Sequence, residues 1–202
     1  MHLPRMTPSE AAASMAQGGV VIFPTEAGYV LGCRAFDAQA VARVVAIKHR
    51  PDGKPLPVLL SSAAALRRHF DSPLTGLAEH FWPGPLTLVV PAFPGLPASV
   101  TGGTNMVGVR ASAHPIARFL VERLGEPVVA TSANRTGAPA AHNTNACDLA
   151  GLDGVSGLVD GGILPPGSNT VVGMSDGDLV FFATGDLPEH AVRAAWATTR
   201  GY

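Results

Sequence analysis

Lysine is nearly absent from this chain. Only Lys48 and Lys54 occur in 202 residues, both in the stretch Lys48-His49-Arg50-Pro51-Asp52-Gly53-Lys54-Pro55-Leu56. A short Lys/Arg loop after a helix and before an apolar strand suggests a place where charge does something besides keep the surface wet. Cysteine is as scarce. Cys33 and Cys147 cannot make a disulfide framework, which points to a reducing compartment. Neither carries a nucleophile signature, so both read as small buried residues. The N-terminus has no basic segment feeding an apolar one, and no apolar run reaches bilayer-spanning length. The expectation is a cytoplasmic protein with no membrane partner.

Several catalytic signatures are also lacking. No Gly-rich turn ends in Gly-Lys-Ser/Thr after the first apolar run, which excludes a P-loop. Ser132 sits in no Gly-x-Ser-x-Gly elbow, which argues against an acyl-enzyme hydrolase. The histidines, among them His49, His80, His114 and His142, show no zinc spacing, so no protein metal site is expected. Aromatics are few and not interleaved with basic residues, and net charge is -1, which weighs against a general nucleic-acid binder.

What remains is the composition of a folded α/β protein, 47% hydrophobic and of a length suited to one domain. The charge is uneven. Residues 34–68 hold seven Lys/Arg against Asp37 and Asp52, while residues 141–192 hold seven Asp/Glu and no Lys or Arg. An anionic ligand would favour the first region. The patterning predicts a helix over 7–17, a buried strand over 19–23 and a loop over 24–29. A helix capped by Asp37 then places Lys48 and Arg50 at its end, with Pro51 as the stop. Further strands are predicted at 58–60, 86–90, 106–109, 128–130, 157–159, 170–172 and 179–182. Helices are predicted from Ser61 or Ser62 to about Phe70, after His114-Pro115 and over 188–196. Strands alternate with helices, but three adjacent strands near the end call for a mixed sheet.

Ligands of open α/β sheets lie beyond the strand ends. Thr25 there offers a hydroxyl, and Glu26 an acceptor or a charge partner for Lys48 or Arg50. Tyr29 is either a core ring, whose hydroxyl then needs a partner, or a stacking surface. Lys48 and Arg50 suit phosphate, one as a point charge and one as a fork. Lys54 has the competing role of protecting a strand edge.

These pieces resemble the YrdC-like threonylcarbamoyl-AMP synthase family. The resemblance rests on Phe23-Pro24-Thr25-Glu26, Tyr29 with Leu31-Gly32, Lys48-His49-Arg50 with Lys54-Pro55-Leu56, and Trp82-Pro83-Gly84-Pro85-Leu86-Thr87. It continues through Val109-Arg110 with His114-Pro115 to Thr131-Ser132-Ala133-Asn134 with Gly137. It implies a single YrdC-like α/β domain over residues 7–190, with a twisted mixed parallel and antiparallel sheet and flanking helices. It implies a nucleotidyltransferase making threonylcarbamoyl-AMP and pyrophosphate from ATP, bicarbonate and L-threonine, with Mg²⁺ assisting. Lys48, Arg50, Ser132 and Asn134 would hold the phosphates. Thr25, Glu26, Tyr29, Lys54, Arg110, Thr131, Ser168 and Thr170 would line the rest of the substrate pocket. The product would serve threonylcarbamoylation of tRNA adenosine 37 through downstream transfer proteins.

The chain departs from the family pattern at named places. Ala27 replaces a hydroxyl residue, and Val30 follows Tyr29 where the family has Gly, a variant that also resembles YciO-like paralogues. Ala111-Ser112 follows Arg110, Asn169-Thr170-Val171 stands for Ser-Thr-Val, and Phe182-Ala183-Thr184-Gly185 lacks an expected Arg. The expectation is a member without the extra C-terminal domain of longer relatives. Two alternatives follow: a carbamoyl-adenylate enzyme with another acceptor, and a catalytically weak YrdC/YciO-like protein binding tRNA or double-stranded RNA.

Overall fold

Thr7 starts the first helix, α1 (Pro8–Ala16), through a reciprocal cap: its Oγ1 accepts from Glu10 N at 3.3 Å, and the Glu10 carboxylate accepts from Thr7 N at 2.7 Å. The computed structural model describes residues 3–69, 72–144, 149 and 151–199. The chain continues through β1 (Val21–Thr25), β2 (Gly28–Arg34), α2 (Ala38–Lys48), β3 (Val58–Leu59), α3 (Ala63–His69) and α4 (Thr75–Phe81). Then come β4 (Leu86–Pro91), α5 (Ala98–Thr101), β5 (Met106–Arg110), α6 (Pro115–Leu124) and β6 (Val128–Ser132). β7 (Gly157–Leu158), β8 (Thr170–Ser175), β9 (Asp178–Ala183) and α7 (Glu189–Thr199) complete it.

The strands form one sheet in the order β7-β1-β2-β6-β3-β5-β4-β8-β9. Pairs β1/β7, β3/β5 and β4/β8 are parallel and the others antiparallel, so the expected mixed sheet is present.

Alternation along the strands splits the apolar side chains between two faces. Ile22, Tyr29, Leu31, Val58, Val129, Leu88, Val109 and Val172 face one way and pack with α2, α3, α4, α5 and α7. Val21, Phe23, Val30, Leu59, Val128 and Ala130 face the other way, under α1 and α6. That second cluster takes nothing from β5, β4, β8 or β9. The second face is therefore covered over only half of the sheet.

Three expectations change. Residues 24–29 are not a loop: β1 runs to Thr25 and returns at once as β2, through the two-residue turn Glu26-Ala27 with Gly28 at φ 100°. Pro24 is tolerated in the strand because β7 pairs only with Val21 and Ile22, so nothing on that side needs its N–H. The helix ending at Lys48 stops at His49, which takes a left-handed conformation (φ 48°), before Pro51 is reached. The body also extends beyond residue 190, since Val192, Ala195 and Trp196 of α7 join the main core. Helices α4 and α5 escape the periodicity because each is under two full turns and carries little apolar pattern. Phe70 and Cys147 lie outside the described residues. Cys33 is buried as expected, and burial pushes its thiol up to about 12.

Candidate active site

The uncovered half of the sheet forms the floor of a cleft of about 560 Å³. It is hollow because residues on that face are small: Gly108 on β5, Ala130 on β6, Ala27 at the hairpin turn and Thr87 on β4. The hairpin turn curls over to meet the segment before β8. A side chain on Gly167 would lie 2.5 Å from Glu26 O, so the two walls touch there.

Lys48 is the best-defined polar group beside the cleft. It is only 1% exposed. Its ammonium donates to the Ser132 carbonyl, to Asn134 O at 2.7 Å and to Asn134 Oδ1 at 2.9 Å, which uses all three of its N–H donors. Burial, helped by the nearby Arg50 charge, lowers its pKa to about 8. Ser132 Oγ donates to the same Asn134 Oδ1 at 2.7 Å and itself lines the cleft. Asn134 Nδ2 donates to Ala138 O at 2.5 Å, fixing the amide. The expected meeting of Lys48, Ser132 and Asn134 is thus present. In this arrangement Lys48 clamps the turn that carries the other two.

Arg50 does not join that group. Its Nε donates to Lys54 O at 3.2 Å and its Nη2 to Pro55 O at 2.6 Å. It braces the 50–55 loop, whose end, Pro55 to Pro57, forms a cleft wall. Burial lowers its pKa. Lys54 is exposed and contributes its carbonyl to this brace.

Glu26 pairs with neither Lys48 nor Arg50. Its carboxylate takes the Arg110 guanidinium and the Ser112 hydroxyl. The reason is topological: the hairpin turn curls toward the end of β5, whereas Lys48 lies under β6. Arg110 is almost fully buried on the cleft wall, and burial lowers its pKa while the Glu26 charge opposes that. His114 caps α6, its Nδ1 accepting from Ile116 N at 3.2 Å, and burial lowers its pKa against the Glu26 charge.

Five expected pocket residues sit elsewhere. Thr25 Oγ1 donates to Gly28 O at 2.8 Å and accepts from Ala27 N at 3.2 Å, so its hydroxyl is consumed in closing the hairpin. Tyr29 is fully buried on the opposite face of the sheet, its hydroxyl donating to Gly162 O and accepting from Gly161 N, each at 2.8 Å. Its neighbour Val30 faces the cleft instead. Thr131 is buried and, by alternation, shares the face of Val129. Thr170 Oγ1 donates to Leu187 O at 2.5 Å and accepts from Gly185 N at 2.8 Å. Ser168, exposed, binds Asp186 through both its N–H and its hydroxyl at 3.1 Å. Between these two anchors, Asn169 lines the cleft. Val89, Met106, Val171 and Phe182 complete the apolar wall. Strand alternation on β4, β5, β8 and β9 was the signal for them, but only after the sheet order is known.

A family model described as telomere recombination, Sua5/YciO/YrdC, matches residues 13–184. The chain belongs to this family. The threonylcarbamoyl-AMP synthase of Alkalilimnicola ehrlichii is 44% identical over 141 residues, 69% of this chain and 74% of that one. The crystal structure of Pyrococcus abyssi Sua5 complexed with L-threonine is similar with a TM-score of 0.86 and 34% identity, covering 95% of this chain and 58% of that structure. The chain therefore spans little more than half the length of this Sua5. Escherichia coli YciO gives a TM-score of 0.77 at 25% identity, covering 92% of this chain and 94% of that one. The expected YrdC-like fold is the fold of this Sua5/YciO/YrdC member.

Among the described residues, no three His, Cys, Asp or Glu side chains gather into a metal cage. No helix among them is long and apolar enough to cross a membrane.

Proposed function

We propose that the chain forms threonylcarbamoyl-AMP and pyrophosphate from ATP, bicarbonate and L-threonine. One observation carries this reading: buried Lys48 clamps Ser132 and Asn134 at the wall of a cleft large enough for a nucleotide. Its support comes from the kinship with curated threonylcarbamoyl-AMP synthases and from the L-threonine held by the similar Sua5 structure.

The reaction asks for little covalent help from a protein. The threonine amine takes up carbon dioxide or bicarbonate to give a carbamate, a carbamate oxygen attacks the α-phosphorus, and pyrophosphate leaves. Such a step is accelerated by alignment and by positive charge over the polyphosphate. The Ser132 hydroxyl lines the cleft, oriented by its hydrogen bond to Asn134 Oδ1, and Lys48 holds that turn and adds charge beneath it. Arg50 keeps the 55–57 wall in place and adds a second cation. Arg110, fixed by Glu26, presents a cation for the threonine carboxylate or a phosphate oxygen. The apolar wall keeps water from the carbamate and the mixed anhydride.

Mg²⁺ belongs to this reading as the partner of the nucleotide. The Glu26 carboxylate is engaged by Arg110 and Ser112, so the ion would be held chiefly by phosphate oxygens, as is usual for Mg²⁺ with nucleotides. The product would be consumed by proteins that transfer the threonylcarbamoyl group to tRNA adenosine 37.

Purified protein incubated with ATP, bicarbonate, Mg²⁺ and single amino acids tests this, with pyrophosphate and the adenylate product followed together. Product that depends on threonine and on bicarbonate is expected. No threonine-dependent product, with another amino acid active or with RNA binding alone, would overturn it.

A further inference from the structure

The two edges of the sheet are finished differently. At the β7 edge the N-terminal segment closes the ladder: Met6 N–H donates to Leu158 O and Leu158 N–H to Pro4 O, each at 2.8 Å. At the other edge β9 is the last strand, and no described strand pairs with its outer side. Unpaired N–H and C=O groups invite another strand, so edges are commonly guarded by Lys, Pro or inward charges. The β9 sequence Asp178-Leu179-Val180-Phe181-Phe182-Ala183 has no Lys, Arg or Pro, and its one charge is its first residue. Pairing with β8 is regular from Asp178 to Phe181, and the extra residue Phe182 bulges only at the cleft end.

The surroundings say what fits there. Val180 (36% exposed) and Phe182 (62% exposed) present apolar side chains beside this edge. Acidic residues bracket them, with Asp176 and Asp178 at one end and Asp186 and Glu189 beyond the other. Arg193 of α7 lies over the Phe181 ring, 4.7 Å from its centroid, and reaches Glu189 at 3.5 Å, which answers part of that charge. The same charge disfavours a second copy as the occupant. Pairing β9 with itself about its centre would bring Asp176 of each copy beside Asp186 of the other.

We propose that the β9 edge docks an extended segment of another protein, with alternate apolar side chains and Lys or Arg at both ends. The segment extends the sheet by one strand. Its backbone pairs with the outer side of β9, its apolar side chains lie beside Val180 and Phe182, and its basic ends meet the acidic brackets. Phe182 also lines the cleft, so the docked protein stands at the cleft's rim. So small a surface belongs to the class of transient contacts.

Fluorescence anisotropy with a dye-labelled peptide, Lys-Arg-Thr-Val-Thr-Ile-Thr-Lys-Arg, tests the proposal. Wild-type protein should bind it, and more weakly by about fivefold when salt rises from about 50 mM to about 300 mM. A probe with Glu at every Lys and Arg should not bind. N-methylation of the Val and Ile amides removes donors from one edge of the peptide, and N-methylation of the Thr amides removes them from the other. One methylated probe should lose more than about tenfold in affinity while the other stays within about threefold. Val180→Lys installs an edge guard and should cost more than about tenfold in binding while the urea midpoint stays that of wild type. Asp176 sits at φ 52°, which Asn also adopts, so Asp176→Asn should keep the fold and flatten the salt dependence. No binding of the basic probe at about 1 mM would overturn the proposal. So would equal effects of the two methylations, or binding of the Glu probe. Dimers in sedimentation equilibrium that Val180→Lys abolishes would make a second copy the occupant and overturn it as well.

Discussion

Lys48 carries its charge where almost no water reaches it. Its three hydrogen bonds compensate in part, yet the ammonium still titrates near 8 rather than near its ordinary 10.5. The unfolded chain therefore binds more protons than the folded one between those values. Stability lost to the buried charge is lost in full below about pH 8 and is recovered as pH rises toward 10.5. Lys48→Met removes this dependence. Relative to that variant, wild type should gain about 2 kcal/mol between about pH 7.5 and about pH 9.5, measured by urea unfolding at each pH. A flat difference would show that the ammonium is better solvated than the structure implies. Turnover by Lys48→Met should fall by more than about 100-fold at pH 7.5, because the turn carrying Ser132 and Asn134 loses its clamp as well as its charge. At this scale the sequence was informative in part: of the Lys-x-Arg and Ser-x-Asn pairs it brought together, the fold joins Lys48 to Ser132 and Asn134 and leaves Arg50 aside. It was silent on direction. Nothing in a linear motif says that Lys48 points at carbonyl groups, or that Arg50 braces its own loop.

At the scale of elements, the cleft is a property of strand faces. Gly108 on β5 lies on the uncovered half and Ala130 on β6 at the edge of the covered half, both facing the cleft, while Val107, Val109 and Val129 fill the core behind. Alternation of this kind is visible in the sequence, but which face is open depends on α1 and α6 covering only half of the sheet. The hairpin shows the same limit. Pro24-Thr25-Glu26-Ala27-Gly28 reads as a loop because Pro and Gly punctuate it, yet Thr25 closes it into two paired strands and turns Tyr29 to the far face. Separating packing from function is therefore a matter of choosing the face. Gly108 has an ordinary strand conformation, and a Cβ there meets only Thr87 Cγ2, at 3.2 Å. Gly108→Val should fold with stability within about 1 kcal/mol of wild type, since Val suits a strand and a threonine methyl can shift. The same substitution fills the cleft floor and should weaken ATP binding by more than tenfold in a titration. Unchanged affinity would place the nucleotide elsewhere.

Across the whole molecule, the extent of the family match and the extent of the folded body differ. The match ends at residue 184, while the fold continues through α7. The 7–190 domain inferred from motifs stopped short for the same reason: motifs mark the site, whereas α7 serves the core. Trp196 is 7% exposed among the residues of the main cluster, Ala195 and Val192 accompany it, and Gly76 of α4 leaves room against Thr199. The segment between β9 and α7 matters as well, because Gly185 and Leu187 satisfy the buried Thr170 hydroxyl beside the cleft. A chain ending after residue 184 would lose both supports. It should lack a cooperative urea transition, whereas Trp196→Ala in the full chain should keep one and be destabilised by about 3–5 kcal/mol. Trp196→Phe, which retains most of the apolar volume, should recover a large part of that loss. A truncated chain that still unfolds cooperatively and still binds ATP would show that α7 is an accessory to the domain, and that the Thr170 anchor is dispensable to the cleft.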